Sequence, residues 1–180
     1  MNITVFLGSN EGNDPALAAA VQELGTWIAQ NGHHLVYGGS RSGLMGLLAE
    51  SALHAGGYVT GVEPQFFVDR SAQLEGLTEL IVTRDMAERK AKLIALADVF
   101  VAFPGGTGTL EEIAEVLSCN AIGFQDKPII LYNLNGFYEG LRTLLNRMTA
   151  EGLSTPEKQR QIAFANDMPQ LKQLISAHSK

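Results

Sequence analysis

Three times in this chain of 180 residues a short apolar run ends in glycine and gives way to a helical pattern. Ile3 to Leu7 stops at Gly8-Ser9, Leu35 to Tyr37 at Gly38-Gly39, and Val99 to Phe103 at Pro104-Gly105-Gly106. Continuous apolar strands that alternate with helices are buried on both faces. The pattern therefore restricts the chain to an α/β fold, a Rossmann-like doubly wound parallel sheet with helices on both faces. Ligands of such sheets bind beyond the carboxyl ends of the strands, where all three glycine turns fall.

The third turn carries the most chemistry. Pro104-Gly105-Gly106-Thr107-Gly108-Thr109 opens a helical pattern that ends near Ile122. The N–H groups of a first helical turn are unpaired and lie at the positive end of the helix dipole, which suits a phosphate, and glycine lets the backbone approach it closely. With Leu110, Ile113, Ala114, Leu117 and Ala121 as the stripe facing the sheet, a step of about 100° per residue puts Glu112 on the opposite side beside Val116 and Cys119. Glu111 and Glu115 fall on the flank. An acid at a helix start ordinarily serves the dipole. One that follows a phosphate-type turn and lies on a non-solvent face is a candidate catalytic carboxylate.

The remaining pattern is regular. Helices are expected from Pro15 to about Gln30, from Gly43 through Leu53 to Ala55, from Arg84 to Ala97, from Phe137 to Glu151 and from about Pro169. Further strands are expected at Tyr58 to Val62, Leu80 to Val82, Ile129 to Tyr132 and Ile162 to Phe164. Pro64 to Gly76, with the exposed-looking pair Phe66-Phe67, receives no regular assignment. No linker or repeat divides the chain, so residues 1–180 read as one domain. In the helix from Arg84, Arg89 falls within the apolar stripe of Met86, Leu93 and Ala97 and needs an anionic partner there. A structural acid and a bound anion satisfy that need equally well. Glu88 and Lys92 are spaced as a surface pair, and Lys90 borders the stripe.

Composition narrows the function. A net charge of -6, with no run of Lys or Arg, argues against nucleic-acid binding. The single Cys119 forms no intrachain disulfide and reads as a spectator thiol, which fits the cytoplasm. No stretch approaches the ~20 apolar residues of a membrane span. His33, His34, His54 and His178 show no metal-ligand spacing, so no metal is expected. No GxxxxGK[ST] loop, GxSxG elbow or lysine marked as a pyridoxal phosphate anchor is present, and no cofactor is expected. Arg41, in a glycine loop, is most simply solvated.

Pro104-Gly105-Gly106-Thr107-Gly108-Thr109, with Glu112 three places on, resembles the PGGxGTxxE signature of the LOG family, cytokinin riboside 5'-monophosphate phosphoribohydrolases once labelled lysine decarboxylases. Tyr37-Gly38-Gly39-Ser40-Arg41-Ser42-Gly43-Leu44-Met45-Gly46 resembles the family's YGGGxxGLMG loop, and Asp85-Met86-Ala87-Glu88-Arg89-Lys90 its MxxRK segment. Three motifs in register are a strong signal. The resemblance implies hydrolysis of the N-glycosidic bond of a purine nucleoside 5'-monophosphate, with Arg89 and Glu112 catalytic. It implies substrate contacts from Gly39, Met86, Arg89, Lys90, Gly105, Gly106, Thr107, Gly108, Thr109, Glu111 and Glu112. It also implies a homodimer or higher homo-oligomer. The apolar surface at Val116, Cys119 and Ile122, larger than one sheet contact requires, agrees with that. The chain departs from the family pattern at Leu7, Ser40-Arg41, Ala87 and Cys119-Asn120, and Ser71 stands near the place of a ligand-touching glutamate. These differences bear on the base, so an ordinary nucleotide such as AMP is as suitable a substrate as a cytokinin nucleotide. The alternative is a noncatalytic carrier or sensor, since molybdenum-cofactor carriers are similar in fold.

Overall fold

The computed structural model describes residues 1–179. Seven strands form a parallel sheet in the order β4-β3-β2-β1-β5-β6-β7. They are β1 (Asn2–Phe6), β2 (His34–Tyr37), β3 (Tyr58–Pro64), β4 (Glu79–Thr83), β5 (Val99–Ala102), β6 (Ile129–Tyr132) and β7 (Ile162–Ala165). The helices are α1 (Pro15–Gln30), α2 (Gly43–His54), α3 (Gln65–Val68), α4 (Met86–Leu96), α5 (Thr107–Ala121), α6 (Glu139–Ala150), α7 (Pro156–Gln159) and α8 (Met168–Ser176). The strand runs are continuously apolar because alternate residues enter different layers. Ile3, Val5, Val99 and Val101 meet α1, α2 and α8 through Leu24, Ile28, Leu48 and Leu171. Phe6, Val36, Phe100 and Ala102 meet α4 and α5 through Leu93, Ile113 and Val116. This is the doubly wound sheet expected from the sequence. Among the described residues no helix is long and apolar enough to cross a membrane.

The order of the strands places the site. β1 is followed in space by β2 on one side and by β5 on the other, so the direction of winding reverses between β1 and β5. A crevice opens there at the carboxyl edge. The connection from β4 to β5 packs α4 beneath β3, β2 and β1, and brings the first turns of α4 to that same edge.

Three local expectations are corrected. On α5 the buried residues are Thr109, Ile113 and Val116, whereas Leu110 is 52% exposed and Ala114 is exposed too. The inward face is rotated from the expected stripe, so Glu112 flanks it instead of opposing it, and Val116 belongs to the chain's own core. Glu88 does not reach Lys92. Its carboxylate turns back to accept from the backbone N–H of Arg84 at 2.8 Å, while Asp85 accepts from the N–H of Glu88 at 2.8 Å, a reciprocal cap that starts α4. The unassigned segment contains the last residue of β3 and the single turn α3. It then folds back over the second glycine loop, where Arg41 N–H donates to Ala72 O and Leu74 N–H to Gly39 O.

Candidate active site

The three glycine turns meet at the carboxyl edge of the sheet around a cleft of about 880 Å³. One end is the turn between β5 and α5. Gly106 is the N-cap of α5 and no side chain caps the helix, so the first-turn N–H groups stay free. A Cβ built on Gly106 or Gly108 meets nothing within 4 Å. The space over this turn is thus kept open by residues the fold itself does not require to be glycine. Gly105 differs, because a Cβ there collides with the Thr109 side chain, buried beneath it. Thr107 is exposed on the rim.

Arg89 and Glu112 meet along the cleft. Arg89 Nη1 donates to Glu112 Oε1 at 3.0 Å, Nε to the Val62 carbonyl at 3.0 Å and Nη2 to the Gly38 carbonyl at 3.4 Å. Arg89 is 7% exposed, and both side chains of the pair are buried. Removal from water pushes the Glu112 carboxyl above the ordinary range, and the Arg89 guanidinium opposes that rise. The pair couples the ion that burial disfavours with the cation that keeps it charged. Gly38 makes the arrangement possible, since a Cβ there would occupy the place of Arg89 Nη2.

The other candidates divide. Lys90 donates to Glu111 at 2.7 Å and pairs with Glu115 at 2.8 Å, so its charge is committed to α5 and its ammonium is held above its ordinary pKa. Met86 is an exposed rim residue of the cleft wall. Gly39 contributes backbone at φ 88°, and a Cβ on it would stand 3.1 Å from Glu63 Oε2. Arg41 and Ser71 are exposed and line no part of the cleft, and Cys119 is half-buried away from it.

Glu63 escaped the sequence reading. It is the penultimate residue of β3, 3% exposed, and lines the cleft with Ser40, Met45, Phe67 and Ala72. Desolvation pushes its carboxyl up to about 7, against the pull of Arg89. The available signal was a lone acid inside the apolar run Val59 to Pro64. Among the described residues no group of His, Cys, Asp and Glu is arranged to hold a metal ion.

Several known proteins are similar to this chain over most of its length. The family model described as "Possible lysine decarboxylase" matches residues 45–175. A cytokinin riboside 5'-monophosphate phosphoribohydrolase of Rhodococcoides fascians is 40% identical over 168 residues, 93% of this chain and 85% of that protein. A protein of the same name from Arabidopsis thaliana is 38% identical over 173 residues, 96% of this chain and 78% of that one. Among solved structures, the molybdenum cofactor binding protein of Rippkaea orientalis aligns with a TM-score of 0.72 at 26% identity, covering 98% of this chain and 95% of that one. The molybdenum cofactor carrier protein of Chlamydomonas reinhardtii aligns at 0.75 and 24% identity, over 98% and 96% of the two chains, and shares the fold.

Proposed function

This chain belongs to the LOG family of cytokinin riboside 5'-monophosphate phosphoribohydrolases, and from that membership we propose that it hydrolyses the N-glycosidic bond of a purine nucleoside 5'-monophosphate, releasing free base and ribose 5-phosphate. The observation that carries the reading is the buried Arg89–Glu112 pair, 3.0 Å apart, on the wall of a cleft whose end is an uncapped helix N-terminus. The turn from Gly105 to Thr109 takes the phosphate on its free N–H groups. Cleavage builds positive charge on the ribose, and the Glu112 carboxylate stabilises that charge and takes the proton of the attacking water. Arg89 holds Glu112 ionised and fixes its rotamer. General-base help of this kind is worth about 10² to 10⁴ in rate.

Lysine chemistry fits poorly, because a Schiff-base amine must lose its proton and Lys90 is held protonated by two carboxylates. Residues 1–180 act as one nucleotide-binding unit, in the cytoplasm and without nucleic-acid partners. We assign the second copy of a homodimer to the exposed apolar side chains at the two ends of α5, Leu110 at its start and Ile122 and Phe124 just past its end, the latter two 76% and 77% exposed.

The test is product chromatography after incubation with AMP, GMP, CMP and isopentenyladenosine monophosphate. Free base with equimolar ribose 5-phosphate is expected from a purine nucleotide, and the Glu112→Ala and Arg89→Ala proteins should yield neither. Tight, stoichiometric nucleotide or pterin retention without turnover would replace the hydrolase with a carrier.

A further inference from the structure

The mechanism above leaves one buried ionisable group of the cleft unused. Glu63 lies at the carboxyl end of β3, its side chain on the cleft wall and out of bulk water. It has no partner to justify that burial. The three guanidinium bonds of Arg89 go to Val62, Glu112 and Gly38, and none goes to Glu63. The nearby Tyr37 hydroxyl on β2 is buried and makes no hydrogen bond either. An unpaired buried carboxyl is destabilising, so the fold gains nothing from this residue. The backbone nevertheless makes room for it, since Gly39 at φ 88° leaves free the space that its carboxyl and Cβ border.

Its position in the sheet defines what it can reach. The phosphate turn follows β5, and β3 lies three strand spacings away through β2 and β1, roughly 14 Å in the sheet plane at the usual spacing. A nucleotide anchored by its phosphate at α5 and passing Glu112 therefore brings its base, not its phosphate, to Glu63. The walls there, Met45, Phe67 and Ala72, are apolar and suit a flat heterocycle. Resting on the reading of the cleft as an N-glycosidase site, we propose that Glu63 is the general acid of the reaction, donating its proton to a ring nitrogen of the departing purine.

The step balances. The oxygen of water bonds to the ribose C1' as the bond from C1' to the purine nitrogen breaks, and the bonding pair passes into the purine. The purine takes the proton of Glu63, and the water gives its proton to Glu112. Glu63 ends as carboxylate and Glu112 as acid, and solvent exchange restores both after product leaves. The two carboxyls are suited to opposite tasks. Arg89 on α4 bonds Glu112 directly and keeps it ionised, whereas Glu63, with Tyr37 on β2 and Arg89 as its titratable neighbours, holds its proton to about 7.

The experiment compares two leaving groups in the intact protein: the purine nucleotide it turns over fastest, and nitrophenyl riboside 5'-phosphate, whose phenolate leaves without a proton. In Glu63→Gln the ratio of kcat/KM for the purine to that for the nitrophenyl compound should fall on the order of 100-fold. The decline of purine turnover as pH rises through about 7 should also vanish. Glu112→Gln should lose both substrates. Equal losses on both substrates in Glu63→Gln, or an unchanged ratio, would overturn the assignment while leaving the hydrolase intact. Failure of the wild-type protein to turn over either compound would instead remove the hydrolase and the general acid together.

Discussion

The glycine turns after β2 and after β5 look alike in sequence and differ in what their glycines are for. Gly38 and Gly39 stand against the protein's own Arg89 and Glu63, whereas Gly106 and Gly108 stand against nothing. The first turn is a packing device that admits two buried ionisable side chains, and the second is empty space at a helix start. A glycine-rich turn therefore has two physical origins, separable by asking what a Cβ would touch. Substitutions on the first side should cost stability and chemistry together, and those on the second should weaken binding with no loss of stability.

The largest effect is expected from Arg89→Met. It leaves the Glu112 charge buried without a partner and should cost about 3–5 kcal/mol in denaturant unfolding, along with turnover. Glu63→Gln should act in the opposite direction. With a folded pKa of about 7 against ~4.3 unfolded, the folded state binds the extra proton between those values, so wild-type stability falls as pH rises from ~4.3 to about 7. Glu63→Gln removes that fall. At pH ~8 it should be the more stable protein by on the order of 3 kcal/mol, the difference closing near pH ~4, as chemical denaturation across pH would read.

Smaller changes sharpen the comparison of the turns. Gly38→Ala drives a methyl into Arg89 and should cost ~1–3 kcal/mol, with a fall in kcat as the ion pair is displaced. Gly108→Ala lies in the first turn of α5 with open space around it and should stabilise the fold by up to ~1 kcal/mol. Its methyl enters the phosphate space, so KM for the nucleotide should rise while kcat holds. Equal losses of stability in the two alanine variants would erase the distinction.

The sheet and its turns were legible because buried parallel strands write themselves as apolar runs and the turns that end them need glycine. The register of α5 was not. Its inward face includes Thr109 and Asn120, the latter bonded to the Lys127 backbone, while Leu110 and Ile122 stay outside. Polarity alone therefore misplaced the face. The need of Arg89 for an anion was visible in its helix, but its partner lies 23 residues on and is chosen by the packing of α4 beside α5. Glu63 was hidden for the same reason. A single acid in an apolar strand resembles a strand end until Gly39 and Arg89, distant in sequence, are seen beside it.

The measurement that bears most directly on the central claim is single-turnover cleavage of AMP by Glu112→Gln beside its equilibrium affinity for AMP. If Glu112 does chemistry while the Gly105 to Thr109 turn does the holding, the cleavage rate falls by about 10² to 10⁴ and the Kd stays within about threefold of wild type. A variant that cleaves AMP at the wild-type rate would contradict the account.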